Sequence, residues 1–221
     1  MKSSDYDSLA LFAGLDTPAV SDAMDKLGLP GHCMNIMPLA NYTKLVVGPA
    51  FTVQYVTAST PPGTVGDFID EVQPGDVVVI ANDGRTDCTV WGDIMTQYAL
   101  ARGIAATVID GVCRDVNKAL DENYPMFSKG RFMRTGKDRV QVAAVNQPVS
   151  VGGARVCAQD IVIADANGVV VVPRERMHEV AQTARSIEHI ESQIRSAIAS
   201  GRSLRQARAE LGYHSLQSKD A

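Results

Sequence analysis

Aromatic residues are scarce in this sequence, and long apolar runs are missing from it. Aromatics make up 5% of the 221 residues, so the core must be built mostly from valine, isoleucine, leucine and alanine. No apolar run reaches the length of about 20 residues that crosses a bilayer. The N-terminal stretch has acidic residues around a very short apolar run, unlike a signal peptide. We therefore expect a cytoplasmic protein.

The sequence also lacks an excess of basic residues and any paired cysteine motif. The formal net charge of −4 gives no basic footprint, which argues against a nucleic acid partner. The four cysteines are far apart and form no CxxC pair, so neither a zinc ribbon nor a redox dithiol is indicated. We expect reduced, partly buried thiols at Cys33, Cys88, Cys113 and Cys157.

Three common catalytic and nucleotide-binding motifs are missing as well. The chain contains no GxGxxG turn into a helix, no Walker sequence and no GxSxG elbow. This removes the usual support for a dinucleotide or S-adenosylmethionine site. Histidines occur without metal-ligand spacing and are expected to be surface or packing residues: His32, His178, His189 and His214.

The middle of the sequence predicts a βαβ unit. Residues 76–81 form a continuous apolar run, as expected for a strand covered on both faces. A helix from Asp93 to Arg102 is ended by Gly103, and residues 104–109 form the next buried strand. Upstream, Val46–Val56 alternates apolar and polar residues, which predicts a strand with one covered face. The pattern indicates an α/β protein with a central βαβ unit.

The flanking regions predict helices at both ends and short strands between them. Thr17 is the expected N-cap of a short helix with Pro18 in its first turn. From Arg139 onward short strands prevail, with a hairpin at residues 165–168 in which Asn-Gly supplies positive backbone angles. A long amphipathic helix from Glu175 to Ser200 is ended by Gly201. We expect one domain over 1–201 and a tail over 202–221, helical or bridging subunits.

Charged residues follow the second strand of the βαβ unit at Arg114 and Asp115. Twenty residues separate Asp93 from Arg114, which returns the pair to the sheet edge that carries Gly92. Asp115 could bind a hard divalent cation, and Arg114 could hold a carboxylate or enolate oxygen. The alternative is that Asp115 caps the following helix and Arg114 pairs with a surface acid.

The stretch Gly92-Asp93-Ile94-Met95 opens the helix of the βαβ unit. Free backbone N–H groups and the helix dipole make such a start an anion site. Gly92 would allow close approach of a ligand, and Asp93 could organise water around a metal. The alternative role for Asp93 is an ordinary N-cap. Trp91, the single tryptophan, is expected to be a packing residue.

Taken together, these residues resemble the RraA-like family, which includes the 4-hydroxy-4-methyl-2-oxoglutarate aldolases. The most specific likeness is the family's D-x20-R-D signature, matched by Asp93, Arg114 and Asp115. The other matching segments lie on both sides of it: residues 17–23, 48–50, 74–76, 91–93, 110–116 and 164–173.

This resemblance implies a β/β/α swivelling-type fold assembled as a homotrimer or homohexamer. It implies a class II pyruvate aldolase that uses Mg²⁺ or Mn²⁺ to cleave a 4-hydroxy-2-oxoacid and to decarboxylate oxaloacetate. Asp115 would anchor the metal, and Arg114 would bind the pyruvyl oxygen and stabilise the enolate. The N–H groups around Ile94 and Met95 would take the carboxylate, and Asp93 would position water.

One loop departs from the family pattern. The family's PGDN asparagine, which contacts substrate, has no counterpart in Pro61–Asp67, where Thr64 and Asp67 are the candidate replacements. Two alternative functions follow from the same resemblance. One is a regulator that binds a ribonuclease, although the long C-terminal helix suits the aldolase-length branch better. The other is a methyltransferase, which the missing glycine-rich turn argues against.

Overall fold

The computed structural model describes residues 10–42, 44–213 and 216, and its centre is an eight-stranded sheet. The strand order is β1-β5-β4-β3-β2-β9-β10, with β6 also paired to β2 and with β7-β8 as a separate hairpin. The strands are β1 Met37–Pro38, β2 Val46–Thr57, β3 Val77–Thr89, β4 Ala106–Cys113, β5 Met126–Arg131, β6 Val140–Val145, β7 Val149–Val151, β8 Ala154–Val156, β9 Ile161–Asp165 and β10 Gly168–Val172.

Five helices with both ends among the described residues accompany the strands. They are α1 Thr17–Lys26, α2 Asp93–Arg102, α3 Asn117–Asp121, α4 Met177–Ala199 and α5 Leu204–Glu210, with 3-10 turns at Asp67–Glu71 and Arg174–Arg176. No helix among the described residues is long and apolar enough to cross a membrane.

Four neighbouring strands, β2 to β5, run parallel and form the core of the sheet. The unit β3-α2-β4 confirms the predicted βαβ motif, and α2 has the predicted bounds, ending at Gly103 in the left-handed conformation. The fold is therefore α/β with a central sheet and a long C-terminal helix, as expected.

The prediction for β2 was wrong in one respect, because most of the strand is buried on both faces. Thr52, expected on the open face, is fully buried, and its hydroxyl donates to the Gln147 carbonyl at 2.7 Å. The strand lies between β3 on one side and β9 and β6 on the other, so its polar positions are enclosed. A hydroxyl that is hydrogen-bonded can be buried at low cost. The alternation of apolar and polar residues in β2 therefore does not identify an exposed face.

The start of α1 differs from the prediction. Asp16, and not Thr17, is the N-cap, and its Oδ1 accepts from the Ala19 N–H at 2.9 Å. Thr17 instead donates its N–H and its hydroxyl to the two carboxylate oxygens of Asp165, at 2.8 and 2.6 Å. The Asp165 carboxylate thus joins the β9-β10 hairpin to α1.

The predicted hairpin exists, but its backbone angles differ. Asp165 pairs with Gly168, which leaves Ala166 and Asn167 as the turn residues. Of the Asn-Gly pair, Gly168 alone has a positive φ, of 139°. The Asp165 carboxylate accepts from the Asn167 N–H at 2.8 Å. This hydrogen bond stabilises the turn, which does not need two residues in the left-handed conformation.

The apolar stripe of α4 packs on α1 and on the β9-β10 hairpin, in a cluster separate from the main core. Val180, Ala184 and Ile187 are buried there, whereas Ile198 is 42% exposed near the end of the helix. The predicted tail is helical over α5, and its Ala207 is fully buried. Its place at a subunit interface stays a prediction, and His214 lies outside the described residues.

Candidate active site

The N-terminus of α2 begins at the carboxyl end of β3. Gly92 is the N-cap with an extended backbone, so Asp93 occupies the first helical position and is not the N-cap. The Asp93 Oδ1 accepts from the N–H of Ile94 at 2.8 Å. Ile94 is 80% exposed, so this end of the helix is open to solvent and to a ligand.

Arg114 and Asp115 follow the last residue of β4 and lie beside α2. The Arg114 N–H donates to the Trp91 carbonyl at 3.0 Å, which ties the end of β4 to the loop before the helix. Asp115 has a left-handed backbone with φ 53°, and the N-cap of α3 is Val116, which makes no side-chain capping bond. The capping role considered for Asp115 is therefore wrong.

The two side chains of this pair contact each other rather than another surface acid. Arg114 Nε lies 3.2 Å from Asp115 Oδ2, and both side chains are partly exposed. Asp tolerates the left-handed conformation better than most residues, and this backbone leaves the Asp115 carboxylate partly exposed at the pocket.

Gly92 allows the helix start and the Arg114-Asp115 pair to come together. A Cβ atom at Gly92 would lie 3.0 Å from Asp115 Oδ2 and 3.7 Å from Arg114 Nε. All six predicted site residues border one pocket of about 260 Å³: Gly92, Asp93, Ile94, Met95, Arg114 and Asp115. The structure therefore brings together the residues that were predicted to do so.

Two further segments border the same pocket and were missed by the sequence reasoning. One is Thr135–Lys137, held against the end of β3 by hydrogen bonds from the Thr89 N–H (3.0 Å) and hydroxyl (3.1 Å) to the Arg134 carbonyl. Lys137 is a second positively charged residue that borders the pocket, besides Arg114. The concentration of Lys and Arg between Lys129 and Arg139 could have pointed to this segment, but the sequence spacing does not show that it lies at the pocket.

The second missed segment is the end of the connection from β2 to the 3-10 turn. Val65 and Gly66 border the pocket, whereas Thr64 and Asp67 are exposed and lie outside its lining. The two candidate replacements for the family asparagine are thus not in the pocket. A Cβ on Gly66 would lie 3.0 Å from the Met95 sulfur, so this connection packs directly on α2.

Trp91 forms a rigid wall behind the helix start, which confirms its packing role. The side chain is 2% exposed, and its Nε1 donates to the Thr96 hydroxyl at 2.9 Å. Its ring stacks nearly parallel on Tyr124, with 6.4 Å between centroids. Thr96 also donates to the Gly92 carbonyl at 3.1 Å, so the tryptophan is coupled to the N-cap residue.

The neighbouring cysteine is unsuited to nucleophilic chemistry. Cys113 directly precedes Arg114 and is fully buried, and this burial raises the pKa of its thiol. All four cysteines are free, with Cys157 partly exposed, and burial raises the pKa of Cys33 to about 12. These findings confirm reduced thiols and leave the chemistry of the pocket to oxygen and nitrogen groups.

The donor set of the pocket fits a hard cation that keeps most of its water. Among the described residues, no three His, Cys, Asp or Glu side chains are close enough to hold a metal by themselves. Asp115 offers a carboxylate that is 45% exposed, and the Asp93 carboxylate borders the same pocket. Mg²⁺ commonly binds through one or two carboxylates plus water and substrate oxygens.

Comparison with known proteins identifies the family of the chain. The family model described as "RraA-like: Aldolase/RraA" matches residues 17–171. Protein DlpA of Legionella pneumophila is 41% identical over 197 residues, which are 88% of this chain. These residues make up 32% of DlpA, so the chain spans about a third of that relative.

Two further proteins are similar over most of their own length. A protein of Halalkalibacterium halodurans, provisionally named 4-hydroxy-4-methyl-2-oxoglutarate aldolase, is 36% identical over 84% of this chain and 85% of its own. The crystal structure of an uncharacterised protein of Pseudomonas syringae pv. tomato superimposes with a TM-score of 0.87 and 44% identity, over 93% of this chain and 94% of its own. The chain belongs to the RraA-like family.

Proposed function

We propose that the protein is a divalent-metal-dependent class II pyruvate aldolase. It cleaves a 4-hydroxy-2-oxoacid, such as 4-hydroxy-4-methyl-2-oxoglutarate, to pyruvate, and it also decarboxylates oxaloacetate. One observation carries the proposal. The Arg114-Asp115 pair after β4 lies directly against Gly92 at the start of α2. A Cβ atom added to Gly92 would lie only 3.0 Å from Asp115 Oδ2. The name of the Halalkalibacterium relative supports the same reaction class.

The start of α2 binds the carboxylate of the pyruvyl unit. The N–H groups of the first turn have no partner within the helix, and the dipole favours an anion there. Ile94 N–H now donates to the Asp93 carboxylate at 2.8 Å. A substrate carboxylate takes over this donor, and Asp93 is then released to hydrogen-bond water beside the reacting carbon.

Arg114 stabilises the charge that develops on the 2-oxo oxygen. Its Nε faces Asp115 Oδ2 at 3.2 Å, which fixes the guanidinium and leaves its other N–H groups for substrate. Both proposed reactions break a carbon–carbon bond and leave the electron pair in the same enolate of pyruvate. A donor aimed at that oxygen therefore serves the aldol cleavage and the decarboxylation alike.

Asp115 is the residue that holds the cation. Its carboxylate is a hard oxygen donor, and Asp93 borders the same pocket, where it would orient water. When bound, the cation supplies Lewis-acid stabilisation of negative charge on substrate oxygen, which is worth several kcal/mol in such reactions. No lysine imine is required for this route.

A pyruvate-release assay tests the proposal. The purified protein is stripped with a chelator and assayed on a panel of 4-hydroxy-2-oxoacids and on oxaloacetate, with and without added Mg²⁺ or Mn²⁺. We expect pyruvate above the protein-free rate only when a cation is present, from at least one compound of each kind. Absence of pyruvate above that rate from every compound with either cation would contradict the proposal.

The alternative is a regulator that binds a ribonuclease, because the matching family model joins aldolases with RraA proteins. Such a role predicts stoichiometric co-elution with an RNA-processing nuclease and inhibition of its RNA cleavage. It also predicts no lyase activity with Mg²⁺ or Mn²⁺. The same purified preparation serves both assays, so their outcomes separate the two functions.

A further inference from the structure

The connection between β2 and the 3-10 turn, residues 58–66, is irregular and largely exposed, yet its end forms part of the pocket. It contains Pro61 and Pro62, and residues 59–64 are all exposed. Val65 and Gly66 nevertheless border the pocket. An exposed, irregular segment can form a stable part of the pocket wall only if contacts with other parts of the protein hold its backbone in place.

Gln141 of β6 holds the middle of this connection. Its Oε1 accepts from the backbone N–H of Ser59 at 2.8 Å and from the backbone N–H of Gly63 at 2.9 Å. The Ser59 hydroxyl lies 3.0 Å from the same oxygen and 2.8 Å from the Pro61 carbonyl, and donates its single proton to one of them. Two N–H donors converging on one atom require an acceptor, which fixes the orientation of the amide.

The two ends of the connection are held by hydrogen bonds that do not involve Gln141. The Ala58 N–H donates to the Arg139 carbonyl at 3.0 Å, and the Val142 N–H donates to the Thr64 carbonyl at 2.9 Å. The hydroxyl of buried Tyr55 donates to the Val65 carbonyl, and burial raises the pKa of that phenol. These contacts anchor the ends, and the Gln141 amide anchors the turn between them.

The held segment reaches the start of α2 at its far end. A Cβ atom on Gly66 would lie 3.0 Å from the Met95 sulfur, so the backbone of the connection packs on the helix turn proposed to bind the substrate carboxylate. Greater mobility of residues 59–63 would loosen the packing of Gly66 on Met95 and admit water at this wall.

We propose that Gln141 is a positioning residue, which holds the part of the pocket wall formed by Val65 and Gly66 through its hydrogen bonds to Ser59 and Gly63. The inference rests on the proposed function for its effect on substrate. It assigns Gln141 to substrate binding rather than to bond cleavage, because the amide touches neither Arg114 nor Asp115. Loss of the acceptor therefore raises KM and leaves kcat little changed.

Two substitutions of Gln141 separate its chemistry from its shape. Gln141→Met keeps the length of the side chain and removes the acceptor. Gln141→Glu keeps an oxygen acceptor for both N–H groups and is the conservative rescue. Gln182→Met, on the exposed face of α4, is the matched control for the chemical change. Thermal unfolding of all four proteins verifies that the fold is retained.

Hydrogen exchange and steady-state kinetics give two independent readouts. In Gln141→Met we expect faster exchange of the Gly63 amide and a KM for oxaloacetate raised about ten-fold, which corresponds to about 1.4 kcal/mol of lost substrate binding. We expect kcat within about two-fold of the parent, and near-parental values of both readouts in Gln141→Glu and in Gln182→Met.

Each contrary result has a distinct meaning. Unchanged exchange of Gly63 in Gln141→Met would overturn the anchoring role, whatever the activity. Faster exchange with an unchanged KM would overturn the link to substrate binding. A kcat that falls as much as the specificity constant would assign Gln141 to the chemical step instead. A parent protein without lyase activity would refute the proposed function and its substrate arm, while the exchange result would still decide the anchoring.

Discussion

Gly92 is the position where the absence of a side chain matters most for the pocket. Its backbone is extended, with φ −145°, so an alanine is not strained there. An added Cβ would still lie 3.0 Å from Asp115 Oδ2 and would displace the carboxylate. We predict that Gly92→Ala lowers pyruvate release about ten- to hundred-fold, as expected for a misplaced catalytic group.

The melting temperature of Gly92→Ala serves as the control. It should stay within a few degrees of the parent value, because alanine adopts the extended backbone of Gly92 without strain and the contacted carboxylate is partly exposed. Parental activity in this variant would mean that the Asp115 carboxylate does not need its observed position.

Arg114 is expected to act through its planar fork rather than through charge alone. Lysine keeps the charge but cannot contact Asp115 and a substrate oxygen together in the same way. We predict that Arg114→Lys lowers kcat about a hundred-fold, the usual cost of one preorganised donor. Steady-state kinetics with oxaloacetate measure this decrease in kcat.

Arg176→Lys, in the turn before α4, is the control and should behave as the parent. Equal effects of both substitutions would refute the role of the planar fork of Arg114.

The central site residues could be predicted from sequence for a simple geometric reason. Parallel strands place the residues that follow them at one edge of the sheet, which brings Arg114 and Asp115 to Gly92. The capping alternative needed the structure, because the left-handed backbone of Asp115 is not visible in residue order. Lys137 was missed because its segment is held at the pocket by hydrogen bonds from Thr89 to the Arg134 carbonyl, a pairing that residue order does not show.

At the scale of the elements, the Asp165 carboxylate joins two parts of the fold. It is buried and accepts from the N–H and hydroxyl of Thr17 and from the N–H of Asn167. Removing the acceptor leaves the two buried donors of Thr17 unpaired, at about 1–3 kcal/mol each. We predict that Asp165→Ala lowers the free energy of unfolding by at least about 2 kcal/mol.

Urea denaturation measures this difference. Asp121→Ala, at the exposed end of α3, is the control and should change stability by less than about 0.5 kcal/mol. Equal midpoints for the two variants would show that the hairpin and α1 are held together without the carboxylate.

The elements with strong apolar patterns were predictable, and those that depend on neighbours were not. The bounds of α2 follow from Gly92 and Gly103, and α4 follows from its apolar stripe. Strand β5, with Lys129 and Arg131 near its end, has no strand pattern and is held by pairing with β4 and β1. The alternation of β2 misled because sheet neighbours enclose its polar side chains.

At the scale of the whole molecule, several large apolar side chains of the described chain are exposed. Met133 is 75% exposed and Ile94 is 80% exposed, the latter at the mouth of the pocket. Exposed apolar groups of this kind often belong to protein interfaces. We predict a homotrimer or homohexamer, with a mass three or six times that of the 23.6 kDa chain. Light scattering coupled to gel filtration measures this mass, and a monomer at all concentrations would contradict the prediction.

The most direct test of the whole account is the loss of the Asp115 carboxylate. Asp115→Asn keeps the shape of the side chain and its tolerance of a positive φ, and removes the charge proposed to hold the cation. We predict that Mg²⁺- or Mn²⁺-dependent pyruvate release falls at least about a hundred-fold, while Asp121→Asn, the control, behaves as the parent. Undiminished metal-dependent turnover in Asp115→Asn would contradict the proposed site.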